Sequence, residues 1–368
     1  MPILAFCGQK DFLSNMYPCM VSKASKGFKS TEAIYQYGKA WIFEDNDTAK
    51  IIASAESGFE AKRLSKRLCV SLRQWDQCKL AIIEGAVFSK FWQNPALRQR
   101  LVDTQDDIIV EASSDRIPPN RRDLFYGSGL TKRDLSGLTK QSGSTSSISF
   151  PGQNFMGNIL MDVRKCFRIT SFPRMLIITD SQGYRLPPPT IQLVKLVAVS
   201  GAKVQMLIKI ACLAVHEGYE QCVILGGTNN IAMNPWKPAL APDGALQPRP
   251  VRSILRQFRA VKYFCEGNPS VKLWIGELPP RFDQPHSLPK KSSRFQRTVR
   301  HLNQELKTLI SSLQSSGFNI DIFPIYDDLN EKKYFATVDN GRSLVDLHYN
   351  KVGGRKIMDG LESLVRER

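Results

Sequence analysis

The chain has 368 residues, of which 42% are hydrophobic and 23% charged, with a formal net charge of +17. This length predicts two domains, each able to bury its own core, and the balance of apolar and charged residues is that of ordinary globular protein. No apolar run approaches the roughly 18 residues of a membrane span, Met1–Asp11 lacks the basic-then-apolar pattern of a secretory signal, and the eight cysteines form no Cys-x-x-Cys pair.

The scattered cysteines read as reduced, mostly buried thiols of a cytoplasmic or nuclear protein. Residues 1–169 hold 24 Lys/Arg against 17 Asp/Glu, and residues 170–368 hold 27 against 17. Both halves are basic, so the surplus is no tail. It favours a polyanionic partner, either nucleic acid or a phosphate-bearing substrate, against the plainer reading of a basic surface kept for solubility. No metal site and no cofactor is expected.

In chain order, helical patterns fall at Thr31–Phe43, Asp47–Ala53, Glu60–Leu68, Leu80–Phe91 and Pro95–Leu101, with few strand-like runs between them. Thr131–Phe150 is rich in Ser, Thr, Gly and Lys and reads as a mobile surface loop interrupting the first domain. The amphipathic segment Asn158–Phe167 closes that domain, placing it at residues 1–168, α+β with helix dominant. From residue 172 the pattern alternates. Met175–Ile178, Leu193–Val199, Cys222–Leu225, Val271–Ile275 and Asn319–Phe323 read as strands. Val204–His216, Val251–Phe264 and Arg294–Leu313 read as helices. Continuous apolar strands alternating with helices predict an α/β domain, residues 172–368, with a five-stranded parallel sheet covered on both faces.

The first domain contains no histidine. Imidazole acid/base chemistry, Cys-His attack and ordinary zinc chemistry are excluded there. Carboxylates, lysine and aromatics remain, and cleavage of a glycosidic bond suits those tools. The ordered pieces Phe12-Leu-Ser-Asn15-Met-Tyr17-Pro18, Ser30-Thr-Glu32-Ala-Ile-Tyr35-Gln36-Tyr-Gly-Lys39, Ala61-Lys62-Arg63-Leu64, Trp75-Asp76, Lys90-Phe91-Trp-Gln93-Asn94-Pro95, Glu111-Ala-Ser113, Asp123-Leu-Phe-Tyr126-Gly127-Ser-Gly129 and Gly152–Arg164 resemble the NADAR/YbiA-type N-glycosidase family. The resemblance implies hydrolysis of the N-glycosidic bond of a ribosylated heterocycle. Riboflavin-pathway intermediates and ADP-ribose on a nucleobase are among the family's substrates. It implies that Glu32, Trp75 and Asp123 carry catalysis. Lys39, Lys62 and Arg63 are candidate phosphate ligands, and Asn15, Tyr17 and Tyr126 candidate pocket residues. Ala33 stands where the family has His, and Tyr126 where it has Trp.

In the second domain Thr179-Asp180-Ser181-Gln182 follows the first apolar strand, Gly227-Thr228-Asn229-Asn230 follows another, and Asp346-Leu347-His348 lies near the C-terminus. A serine, an asparagine, an acid and a histidine, each read as following a strand, are the parts of a hydrolase that attacks an acyl group. Ser181 is the candidate nucleophile, His348 the base and Asp346 its orienting acid. Asn229 and the backbone N–H groups of Ser181 and Gly201 are candidate oxyanion donors. These blocks resemble the SGNH/GDSL hydrolase family. The family acid stands three residues before the histidine, where this chain has Val345. In an extended loop a one-residue shift points a side chain the opposite way, so Asp346 misses the imidazole and a Ser-His dyad remains. His216, His286 and His301 read as structural or surface residues.

Together these expectations describe an N-glycosidase domain fused to an SGNH-like domain. The alternatives are an esterase whose first domain recruits substrate, and a nucleotide- or nucleic-acid-binding protein with two decayed sites.

Overall fold

The computed structural model describes residues 2–141, 149–169, 174–227, 229–230, 254–279, 282–283, 289–325, 335–339 and 344–366, with the backbone alone described at 138–141, 282–283, 289–298, 335–339 and 344–349. The chain forms two compact units. Residues 1–70 and 82–172 make the first, and residues 71–81 and 173–368 the second.

In the first unit, β1 (Ile3–Phe6) pairs in parallel with a strand from much later in the chain, matching Ile3 to Ile108 and Phe6 to Glu111. The strands β2 (Val21–Lys23) and β3 (Lys26–Phe28) form a hairpin turned through Ala24 and Ser25, both left-handed at φ 49° and 58°. Two successive positive φ values match the strand twist across a two-residue turn. Three short helices follow: α1 (Thr31–Ile42), α2 (Asn46–Ala53) and α3 (Gly58–Leu64). Each starts on a side-chain cap. Ser30, Asp45 and Ser57 accept N–H groups of the first turn, which otherwise lack partners. The helices α4 (Leu72–Gln93) and α5 (Pro95–Val102) lead to β4 (Ile108–Glu111). Phe6, Phe28, Phe88 and Phe91 are fully buried in this unit.

One expectation changes here. Lys132–Gln141 is a helix, α6, where a loop was expected. Thr131 and Asp134 exchange hydrogen bonds, Asp134 N–H to Thr131 Oγ1 at 3.2 Å and Thr131 N–H to Asp134 Oδ2 at 2.8 Å. That reciprocal cap and the buried Leu135 outweigh the weak helix propensity of the segment's Ser, Thr and Gly. The rest of the expected loop, residues 142–148, lies outside the described residues. The helix α7 (Phe155–Ile169) then packs against β4.

The second unit holds β5 (Met175–Thr179), β6 (Val194–Ala198), α8 (Val204–Ala214), β7 (Gln221–Leu225), β8 (Lys272–Gly276) and, after the two-residue strand β9 (Phe282–Asp283), β10 (Ile320–Phe323). Five strands form one parallel sheet in the order β10-β8-β7-β5-β6. Counting only those five along the chain, the order is 2-1-3-4-5, the flavodoxin-like arrangement. All five residues of β5 and all five of β7 are buried, which explains apolar runs without alternation. Met175, Ile177, Val223 and Leu225 pack with Ile357, Met358 and Leu361 of the helix Lys351–Arg366. The alternate residues Leu176, Ile178, Cys222 and Ile224 are buried on the other face, where α8 packs across β5 and β7. The result is three layers.

A small antiparallel sheet, β11 (Phe335–Asp339), β12 (Leu344–Tyr349) and β9, was not expected. It places Asp346 and His348 inside β12, not after a strand: Ala336 pairs with His348, and Asp346 with Phe282.

Candidate active sites

In the first unit the loop Phe12–Tyr17 and the start of α1 are fastened together. The Asn15 carbonyl accepts the Glu32 N–H at 3.0 Å and the Thr31 hydroxyl at 3.1 Å. Asn15 Oδ1 accepts that hydroxyl at 3.2 Å, and its Nδ2 approaches Met156 Sδ at 3.0 Å. Beneath the loop, Lys90 is fully buried and donates to the carbonyls of Phe12 at 2.7 Å and Ser14 at 2.9 Å, with the Tyr17 ring 5.5 Å away. Burial pulls the Lys90 ammonium down to about 8.

Glu32 is 7% exposed, and its Oε1 accepts the Gln36 amide at 2.8 Å. A first-turn position favours the carboxylate by about 0.3–1 kcal/mol. Desolvation outweighs that, together with the Gln36 bond and the Lys62 charge, and the Glu32 pKa is raised. Gly58 leaves room for it: a Cβ there would lie 3.1 Å from Glu32 Cβ and 2.9 Å from Met16 Sδ.

Asp123 Oδ1 accepts the backbone N–H groups of Phe125 at 2.9 Å, Tyr126 at 2.8 Å and Gly127 at 3.5 Å. Such a nest fixes the carboxylate's position. Tyr126 and Tyr35 share a hydroxyl–hydroxyl bond of 2.8 Å.

A third carboxyl joins them. Glu111 ends β4, and its pKa is pushed up to about 7, first by burial and then by the charges of Asp123 and Glu32, with Lys62 opposing. Its Oε2 is shielded from solvent and has no hydrogen-bond partner among the described residues. Sequence reasoning placed Glu111 in a motif but gave it no role. Only burial singles it out, and burial is not written locally in the sequence. Thus Glu32, Glu111 and Asp123 share one electrostatic neighbourhood with Lys62.

The other candidates fall as follows. Arg63 is exposed and lies 3.9 Å from Glu60. Lys39 occupies the last turn of α1. Trp75 is 4% exposed and sits in the part of α4 that belongs to the second unit. Among the described residues no cluster of His, Cys, Asp or Glu could hold a metal ion, and no helix could cross a membrane.

In the second unit, Ser181 opens a short helical turn, Ser181–Arg185, at the carboxyl end of β5. Asp180 is fully buried; its Oδ1 accepts the Gln182 N–H at 3.0 Å and its Oδ2 faces Asn229 Nδ2 at 3.4 Å. Asn229 Nδ2 also donates to the Ala202 carbonyl at 3.1 Å. Gly201 is left-handed at φ 71°, beside Ser200, whose carbonyl and N–H bind Gln74 and Gln77. β12 passes beside the Ser181–Arg185 turn. The Asp346 and His348 side chains lie outside the described residues, as do Thr228 and His286. His216 is buried against Tyr219, and His301 is exposed.

Residues 5–168 match the NADAR domain model. An N-glycosidase of Acanthamoeba polyphaga mimivirus is 31% identical over 139 residues, 38% of this chain and 74% of that protein. The chain belongs to the NADAR family through this segment. Among solved structures, the Escherichia coli protein YbiA is similar at 21% identity over 46% of this chain and 86% of its own, with a TM-score of 0.36. A lipolytic G-D-S-L family protein from Veillonella parvula is similar at 18% identity over 52% of this chain and 98% of its own, with a TM-score of 0.33.

Proposed function

We propose that the first unit hydrolyses the N-glycosidic bond of a ribosylated or ADP-ribosylated heterocycle. The observation that carries this reading is the gathering of Glu32, Glu111 and Asp123 around the Lys62 charge, in a half with no histidine. Breaking a C1′–N bond leaves positive charge on the sugar, which a carboxylate stabilises, and calls for a base to activate water. Asp123, fixed by the backbone N–H groups of Phe125 and Tyr126, suits the first task, and Glu32 or Asp123 the second. Lys39, Lys62 and Arg63 are the cations for a substrate phosphate, and the net charge of +17 suits ADP-ribose attached to a nucleic-acid base. The relative named an N-glycosidase supports the same reaction class. The test is incubation with an ADP-ribosylated oligonucleotide, reading free ADP-ribose. Release by the wild type and none by Glu32→Gln is expected; no release from this oligonucleotide or from a ribosylated pyrimidine would overturn the reading.

A second activity is proposed for the second unit on one observation: Ser181 and Asn229 both stand just beyond carboxyl ends of adjacent strands, with Asp180 between them. Ligands of open α/β sheets bind there. Ester hydrolysis by Ser181 would require Asn229 to exchange its Asp180 or Ala202 contact for the oxyanion.

A further inference from the structure

We propose that Glu111 is a catalytic residue of the first unit, the general acid that protonates the departing heterocycle. This rests on the N-glycosidase reading.

The geometry separates Glu111 from the other two carboxyls. Glu32 already holds the Gln36 amide, and Asp123 Oδ1 already holds backbone N–H groups. Glu111 Oε2 is closed off from solvent and has no hydrogen-bond partner among the described residues. Its main chain is pinned on both sides. The N–H goes to Asn154 Oδ1 at 2.9 Å, and the carbonyl accepts both the Ser128 N–H and the Ser128 hydroxyl at 2.9 Å. A strand end fixed at its main chain therefore holds a carboxyl with one unpartnered oxygen, and the partner chemistry calls for is a ligand heteroatom.

Charge decides which carboxyl keeps the proton. Glu32 on α1 and Asp123 on the loop after β4 both face the Glu111 charge, and Lys62 on α3 opposes them. Neighbouring carboxyls cannot all ionise, so the one with the least hydrogen-bond support stays neutral. Its pKa of about 7 leaves it half protonated at neutral pH. In the step itself, the C1′–N bond breaks and its electron pair passes to the ring nitrogen, which takes the Glu111 proton. Water adds to C1′ and gives a proton to Asp123 or Glu32. That proton returns Glu111 to its acid form, so the net reaction consumes only water.

The experiment compares two leaving groups on one sugar. A neutral base on an ADP-ribosylated oligonucleotide needs a proton to leave, whereas the nicotinamide of NAD departs as a neutral molecule without one. For the oligonucleotide, wild-type kcat/KM should fall as pH rises through about 7. Glu111→Gln should lose that limb and about 10²–10⁴-fold of the rate, while NAD cleavage changes less than roughly tenfold because proton transfer contributes nothing to it. Equal losses on both, or a wild-type profile with no fall, would overturn the assignment; the wild-type profile needs no variant to fold. A wild type inert on the oligonucleotide at every pH would remove the N-glycosidase reading itself, and this role with it.

Discussion

Asn154 accepts the N–H of Glu111 on its side-chain oxygen at 2.9 Å. The same side chain donates to the Ile109 carbonyl at 2.9 Å, so it clasps β4 on two successive hydrogen-bonding groups of one edge. It does so from a left-handed backbone, φ 49°. Asn154→Ala should then cost stability twice, by leaving buried backbone groups unpaired, about 1–3 kcal/mol each, and by forcing alanine into a region that costs it about 1–2 kcal/mol. Asn154→Gly keeps the first loss and removes the second. Thermal unfolding of both checks the argument, with Ala expected to be the less stable variant.

Glu111→Gln should change stability in a pH-dependent way. The folded-state pKa of about 7 exceeds the usual 4.5, so folding favours the protonated form. Stability from this group is full below about 4.5 and is lost as pH climbs through 7. The neutral glutamine escapes that loss. The advantage of the variant should grow between these pH values to at most on the order of 3 kcal/mol, shared with Glu32 and Asp123 as coupled groups. Denaturant titrations at pH 4.5, 6 and 8 measure it; a constant difference would place the raised pKa elsewhere.

Lys90 runs the opposite way. Its pKa of about 8 lies below the usual 10.5, so the folded state gives up its proton first, and stability should rise between those values. Lys90→Met removes that rise. It also strips the donor from the Phe12 and Ser14 carbonyls, at about 1–3 kcal/mol each. The loop they belong to carries the Asn15 carbonyl that receives the Glu32 N–H. Glycosidase activity should therefore fall along with Tm. A variant as stable as wild type would show that the buried ammonium is not the tether.

In the second unit, hydrolysis of p-nitrophenyl acetate should be lost in Ser181→Ala. Losing an orienting acid typically costs roughly 10⁴-fold in turnover. Asp346 stands one residue closer to His348 than the family acid does, and Val345 in that place cannot accept a hydrogen bond. Asp346 and His348 lie in β12, whose pairing with β11 slips register between Val345 and His348. Asp346→Asn should accordingly reduce the rate only weakly; loss as complete as in Ser181→Ala would show that Asp346 does orient the histidine. Activity indifferent to Ser181→Ala would mark this unit as catalytically silent.

The parallel sheet was legible because its strands are buried on both faces, which writes runs such as Met175–Thr179 directly into the sequence. Their parallel direction followed from the helices between them. The sheet containing His348 was not legible: β9 is two residues long and pairs with β12 from far earlier in the chain, and the register of β11 against β12 is irregular. The helix at Lys132–Gln141 had a readable cap in Thr131 and Asp134, outweighed by the composition around it. Glu32 and Asp123 were found through motifs. Glu111 and Lys90 sat in quoted motifs as well, yet their roles come from depth, which depends on what packs above them.

Gly58, set against Glu32, gives that dependence on depth a practical form. In an imidazole-based site the working pH is tied to the identity of one residue. Here it is tied to how thoroughly water is kept from carboxyls, since burial is the first cause of both raised values. Substitutions that loosen the packing over Glu32 or Glu111, with every carboxyl retained, would shift the optimum towards acid. The pH response of this domain is thus a trait that drift in its packing residues can retune without touching the chemistry.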